Sequence, residues 1–92
     1  MSVSISGIEF DRVDYYREGD VLYLWMGEPR VPADSDASPE GHYLQFGENG
    51  ALIAITIVNA RRILEREGKV TITLPDGRQL ETADLGPVLA AA

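Results

Sequence analysis

The sequence predicts an α+β fold, a predominantly antiparallel β meander of hairpins with one short helix packed on the sheet. Three observations favour this class: a hairpin signal at 13–27, a second at 42–59, and a capped helical turn at 60–67. These segments contain most of the apolar residues of the chain, so they define a small β-rich core.

The composition describes a single small domain, residues 1–92, with a strong acidic excess. Fifteen acidic and eight basic side chains give a formal charge of −7. Such a charge repels phosphate backbones, so we expect no nucleic-acid partner. The chain has no cysteine, which fits a reducing compartment. The sequence shows neither the pattern of a secretion signal nor an apolar run of about 18 residues. We therefore expect a cytoplasmic protein with no membrane partner.

The first hairpin is predicted over 13–27, with its turn around Gly19. Apolar and polar residues alternate weakly at 2–6, and a strand-like stretch at 8–16 leads into the hairpin. Glycine takes a positive φ at low steric cost, which suits the turn. The return strand at 21–26 has six apolar residues in succession. A run without a polar face is typical of a strand that is covered on both sides.

The second hairpin is predicted around Asn49-Gly50, a dipeptide that favours a type I′ turn. Its second strand, 51–58, is apolar on both faces, with Ile53, Ile55 and Ile57 on one of them, and we expect it to be central. The segment 28–41 before this hairpin is rich in proline, serine and acidic residues. We interpret it as a long loop that is mobile or used for contact.

A short helix is predicted over 60–67, with Asn59 as its N-cap and Gly68 as its C′ residue. Apolar and polar residues alternate on both sides of a Pro-Asp-Gly turn, and this pattern predicts a third hairpin over 69–82. We expect the tail, 83–92, to pack loosely or to extend to a neighbouring molecule.

Two segments resemble a bacterial family, the domain of unknown function 2283. They are YREGDVLYL at 16–24 and FGENGALIAITI at 46–57, followed by an Asn-Ala pair that opens the helix. The resemblance covers residues 13–66. Thr56 stands where the family often has an acidic residue. The resemblance implies a compact sheet with a helix and provides no catalytic residue. Some members of that family look like partners of small toxin-like proteins, so the resemblance also raises this role for the present chain.

The residues that could carry chemistry are concentrated at 34–42. His42 is the only histidine, and the oxygen ligands Asp34, Asp36 and Glu40 precede it. A hard cation needs six to eight oxygens from a tightly turned loop, whereas the prolines of this loop restrict wrapping. We interpret the segment as a solvated acidic loop and expect no catalytic residue, no metal and no cofactor. A small hydrolase or metal-dependent enzyme using 34–42 is kept as an alternative.

Four aromatic residues are candidates for an interface. Tyr15, Tyr23 and Trp25 share one strand face if the first hairpin pairs around Gly19, with Tyr43 opposite them. Aromatic side chains on a sheet face belong either to the core under a helix or to a subunit interface. One short helix covers only one side of such a sheet, so we expect a second copy of the chain to cover the other.

The leading hypothesis from the sequence is a non-enzymatic protein-interaction module that forms homodimers or higher homo-oligomers through an apolar sheet face. Its acidic contact loop consists of Glu28, Asp34, Asp36 and Glu40. The second hypothesis is an antitoxin-like role, in which the acidic loop binds a small basic, RNA-targeting protein through charge complementarity.

Overall fold

The structure is a computed structural model that describes residues 2–91. Within that range the chain forms nine strands and two helices, and the predicted α+β class is confirmed. The elements are β1 Val3–Ile5, β2 Ile8–Phe10, β3 Arg12–Tyr16, β4 Val21–Trp25, β5 Asp34–Ala37, β6 Tyr43–Phe46, β7 Leu52–Val58, α1 Ala60–Glu67, β8 Val70–Thr73, β9 Gln79–Thr82 and α2 Gly86–Ala91.

A five-stranded antiparallel sheet with the order β3-β4-β7-β6-β5 forms the centre of the molecule. The strand β7 lies in the middle of this sheet, as its two apolar faces predict. The order departs from a plain meander, because β7 rather than β5 is the neighbour of β4. The hairpins β1-β2 and β8-β9 are separate two-stranded sheets.

The hydrophobic core lies on one face of the five-stranded sheet. Leu22, Leu24 and Ile57 of the sheet are fully buried there. The two small hairpins and both helices supply the opposing layer. Its buried members are Val3, Ile5, Phe10, Ala60, Val70, Ile72, Leu74, Leu80, Leu85, Val88 and Leu89. Such a two-layer arrangement buries one face of the sheet.

The expectation of a loose tail at 83–92 is wrong for the described residues. The segment forms α2, and Leu85, Val88 and Leu89 are buried in the core. These three residues are spaced i, i+3 and i+4, which places them on one face of a helix. The Nη2 group of Arg61 also donates a hydrogen bond of 3.0 Å to the Leu89 carbonyl oxygen. Ala92 lies outside the described residues.

The interpretation of 28–41 as a loop is also wrong in part, because β5 pairs with β6 within it. A tight connection closes this hairpin: the N–H of Ser38 donates to the His42 carbonyl at 2.7 Å, and that of Gly41 donates to the Ser38 carbonyl at 2.9 Å. All four residues of β5 are exposed. The backbone pairing with β6 therefore orders a segment that has no apolar pattern of its own.

The first residues of β7 do not follow strict alternation. The register between β6 and β7 shifts at Gln45 and Phe46, where Phe46 pairs with Leu52. Ile55 and Ile57 belong to the core cluster, and Leu52 packs against it, whereas Ile53 is buried outside it. The prediction that Ile53 shares a face with the other two isoleucines is therefore wrong. A β-bulge places an additional residue in one strand and thereby changes the direction of its side chain.

Gly68 ends α1 in the left-handed region, with φ 78° and its N–H bonded to the Leu64 carbonyl. No atom lies within 4 Å of an added Cβ at this position, so the cost of Gly68→Ala is conformational. We expect it to lower the free energy of unfolding by about 1 kcal/mol. Gly86→Ala is the control, because Gly86 begins α2 in equally open space and without a positive φ. We expect this change to be neutral or stabilising by a few tenths of a kcal/mol. Urea denaturation of both variants tests the pair, and an equal loss in both would contradict the assignment.

Candidate functional site

The sheet face opposite the core carries most of the aromatic residues predicted for an interface. Directly paired residues of antiparallel strands share a face, and the pairs Tyr23↔Thr56 and Tyr43↔Thr56 place Tyr23 and Tyr43 on either side of Thr56. We call this surface the aromatic face. It comprises Tyr16, Val21, Tyr23, Trp25, Tyr43, Gln45, Ala54, Thr56 and Val58.

The aromatic side chains of this face are half-buried or exposed, although two of them contact each other. The rings of Tyr23 and Trp25 stack with their centroids 5.7 Å apart and their planes at 11°. Tyr16 and Tyr43 are 53% and 57% exposed and are among the large apolar residues left at the surface. Stacked, rigid aromatic side chains are typical anchors of protein interfaces because they bring a large contact area at low entropic cost.

Among the described strands of the sheet, charge on the aromatic face is confined to the outer strand β3. Glu28 and Arg30, in the segment that follows β4, border this face beside Trp25 and Gln45. The three inner strands β4, β7 and β6 present only uncharged side chains on the aromatic face. Arg12 and Asp14, on the outer strand β3, pair with Trp25 and Tyr23 and are the nearest charges in the register. In a chain of which 25% is charged, this surface is unusually free of charge.

Tyr15 does not belong to the aromatic face, so the prediction that it shares a face with Tyr23 and Trp25 is wrong. It pairs with Leu22 on the core face and is buried. Its hydroxyl donates a hydrogen bond of 2.7 Å to Asp20 Oδ1, and the Arg61 guanidinium lies 5.9 Å from its ring centroid. Burial raises the pKa of the Tyr15 hydroxyl.

The Asp20 carboxylate caps the N-terminus of α1, where the sequence predicts Asn59. Asn59 has a left-handed backbone conformation, and its side chain makes no capping hydrogen bond. The N–H groups of Arg61 and Arg62 instead donate to Asp20 at 2.8 and 3.1 Å. Partial burial of Asp20 opposes ionisation, but these hydrogen bonds and the one from Tyr15 outweigh it and lower its pKa.

An open groove of about 930 Å³ lies beside this cap. Its lining includes four arginines, Arg17, Arg61, Arg62 and Arg66. The carboxylates of Glu18, Asp20 and Glu65 line the same groove and balance most of this charge. Arg66 pairs with Glu67 at 2.9 Å, and Arg61 is bonded to the Leu89 carbonyl. The groove is therefore a compensated charge network that joins α1, α2 and the turn between β3 and β4.

The four predicted contact acids do not converge. Glu28 borders a small depression next to Trp25 and Ile53. Asp34 and Asp36 lie on the outer strand β5. Glu40 accepts hydrogen bonds from the N–H and the hydroxyl of Thr73 and so fastens the turn between β5 and β6 to β8. Partial burial opposes ionisation of Glu40, but the bonds from Thr73 outweigh it and lower its pKa.

His42 is a buried structural residue, with 1% of its surface exposed. Its Nδ1 accepts a hydrogen bond of 3.1 Å from the Val58 N–H, so the ring proton resides on Nε2. Among residues 2–91, Nε2 is the buried side-chain polar atom without a hydrogen-bond partner. Burial lowers the pKa of His42, whereas the charge of Glu40 opposes this shift.

Over the described range, no group of three or more histidine, aspartate or glutamate side chains is arranged to hold a metal ion. No helix in that range is both long enough and apolar enough to cross a membrane.

Comparison with known proteins identifies the family. A family model described as a protein of unknown function, DUF2283, matches residues 12–61, which is more than half of the chain. The chain belongs to the DUF2283 family. No curated protein and no solved structure matched it.

The segment that defines this DUF2283 protein coincides with the five-stranded sheet. Residues 12–61 include β3 to β7 and the first residues of α1. They contain the complete aromatic face, the capping residue Asp20 and the buried His42. The hairpins β1-β2 and β8-β9 and the helix α2 lie outside the match.

Proposed function

We propose that this DUF2283 protein is a non-enzymatic interaction module that self-associates through its aromatic face. The observation that carries the proposal is the combination of stacked Tyr23 and Trp25, exposed Tyr43, and a surface without charge on the three inner strands. The core lies on the other face, so the protein does not need these aromatic residues for its own interior. Exposed aromatic patches of this kind mark protein-binding sites.

The charge distribution favours a second copy as the occupant. Each chain has a formal charge of −7, so self-association requires a contact surface that brings no like charges close together. The aromatic face meets this condition. Arg12 and Asp14 lie two residues apart at the border of the aromatic face. A two-fold axis can bring Arg12 of each copy opposite Asp14 of the other copy.

The antitoxin-like alternative has less support. A basic partner would dock on converging carboxylates, whereas Glu28, Asp34, Asp36 and Glu40 are spread over three places. Three of these four also accept hydrogen bonds within the protein. The alternative of a small hydrolase or metal-dependent enzyme uses residues 34–42. The histidine of this segment, His42, is buried, and its Nδ1 accepts a hydrogen bond from the Val58 N–H.

Thr56→Lys tests the proposal because Thr56 lies between Tyr23 and Tyr43 at the centre of the aromatic face. An unpaired ammonium group at the centre of an interface is costly to bury, so we expect the dimer dissociation constant to rise at least about tenfold. Ser4→Lys is the matched control, because it adds the same charge at an exposed position of β1.

Sedimentation equilibrium of the wild type and both variants provides the measurement, and circular dichroism confirms that each is folded. The wild type and Ser4→Lys should form a dimer that dissociates on dilution, and Thr56→Lys should be monomeric. A wild type that stays monomeric at the highest attainable concentration would refute the proposal. A Thr56→Lys variant that associates like the wild type would also refute it.

A further inference from the structure

The strand β5 is the exposed outer edge of the five-stranded sheet. It pairs with β6 on one side, and no strand of the described chain pairs with it on the other. Such an edge presents free N–H and C=O groups to which a strand of another chain can bind. At the opposite edge, α2 packs against β3.

The register shows which N–H groups of β5 point outward. The Ser38 N–H donates to the His42 carbonyl, and the same register pairs Asp36 with Leu44 and Asp34 with Phe46. Because N–H groups alternate in direction along a strand, those of Asp34 and Asp36 point towards β6. The N–H groups of Ser35 and Ala37 therefore point away from the sheet. The alternation does not extend beyond the start of β5, since the Ala33 N–H also donates to the Phe46 carbonyl, at 2.9 Å.

Each of these two outward groups is already bonded to the aspartate before it. Asp34 Oδ1 accepts from the Ser35 N–H at 2.9 Å, and Asp36 Oδ1 accepts from the Ala37 N–H at 2.8 Å. A strand that approaches this edge meets two carboxylates in place of two donors, and its carbonyl oxygens are repelled by them. Because both aspartates are exposed, their charges are solvated at little cost.

We infer that Asp34 and Asp36 protect the β5 edge against pairing with a strand of another chain. The two residues are thus edge-protecting groups and not contact residues for a partner. This role also accounts for a strand that contains only aspartate, serine and alanine. The inference does not depend on the proposed dimer, because the edge and the aromatic face are different surfaces.

The double variant Asp34→Ala/Asp36→Ala tests the inference. It removes the carboxylates that accept from the N–H groups of Ser35 and Ala37. We therefore expect association through β5 to become at least about tenfold stronger. Glu28→Ala/Glu48→Ala is the matched control, because it removes the same charge from two exposed residues outside β5. Both double variants are made in the Thr56→Lys background, where association through the aromatic face is blocked.

Sedimentation velocity over a range of concentrations is the measurement, with infrared spectroscopy to detect additional intermolecular strand pairing. The aspartate variant should form larger species with new β-sheet signal, and the glutamate variant should sediment like its Thr56→Lys parent. Unchanged sedimentation of the aspartate variant would overturn the inference. Equal association of both double variants would also overturn it, because loss of charge alone would then be the cause. If the aspartate variant does not fold, Asp36→Ala alone is measured against Glu48→Ala with the same criteria.

Discussion

Replacing Asp20 with alanine is expected to lower the free energy of unfolding by about 2 to 3 kcal/mol. The change removes the acceptor for the Arg61 and Arg62 N–H groups at the start of α1. It also removes the acceptor of the part-buried hydrogen bond of 2.7 Å from the Tyr15 hydroxyl. The alanine must in addition adopt the positive φ of 55° at this position. Urea denaturation monitored by circular dichroism measures the loss.

Asn59→Gly is the control for this prediction, because the sequence assigns the N-cap to Asn59. Its side chain makes no capping bond, and glycine tolerates the left-handed conformation. We expect a change of no more than a few tenths of a kcal/mol. A cost for Asn59→Gly equal to that of Asp20→Ala would show that the capping assignment is wrong.

The stabilisation by Asp20 should also depend on pH. Its contribution to the free energy of unfolding should be complete above the ordinary pKa of 3.8 and disappear as the pH falls through the lowered pKa of the folded protein.

His42→Leu is expected to lower the free energy of unfolding at pH 8 by about 2 kcal/mol, because the Val58 N–H loses its acceptor within the protein. The pH dependence should change as well. Burial lowers the pKa of His42 from 6.5, so the unfolded chain binds a proton that the folded protein resists. Below pH 6.5 the wild type should therefore lose stability, by up to about 1.4 kcal/mol for each pH unit until the folded-state pKa is reached.

The leucine variant should not show this loss between pH 7 and about 5, since it has no group that titrates there at this position. Ser38→Ala is the matched control: it removes the hydroxyl that accepts the His42 N–H and retains the imidazole. Thermal and urea unfolding across this pH range distinguish the two variants. A pH dependence that is the same in His42→Leu and in the wild type would contradict the assignment.

The parts of the fold that the sequence predicts well have local signals. Asn59 and Gly68 enclose a helix whose bounds, Ala60–Glu67, are as predicted. The turn at Asn49-Gly50 connects β6 and β7, and the alternation over 69–82 appears as β8 and β9. Each of these signals involves residues close together in the chain, so the sequence pattern is sufficient.

The parts that it misses depend on contacts between distant residues. Asp20 caps a helix 41 residues later in the chain, and β5 is ordered by its pairing with β6. The side of the sheet on which Tyr15 lies depends on the register between β3 and β4. Tyr16 pairs with Val21, and the positive φ of the turn lies at Asp20 and not at Gly19. A shift of one residue exchanges the two faces of a strand. The tail has a local signal in the spacing of Leu85, Val88 and Leu89, which the sequence interpretation overlooks.

The two ends of the described chain close the same interior. Val3 and Phe10 at the start and Leu85 and Leu89 at the end belong to one cluster, and Ser6 and Glu81 exchange hydrogen bonds of 3.0 and 3.4 Å across 75 positions. During translation, the segment that forms the five-stranded sheet leaves the ribosome before α2 does. The part of the core that Leu85, Val88 and Leu89 cover therefore stays accessible to chaperones or to aggregation until α2 has emerged and packed. A premature stop codon before Leu85 would permanently uncover the part of the core that Leu85, Val88 and Leu89 cover.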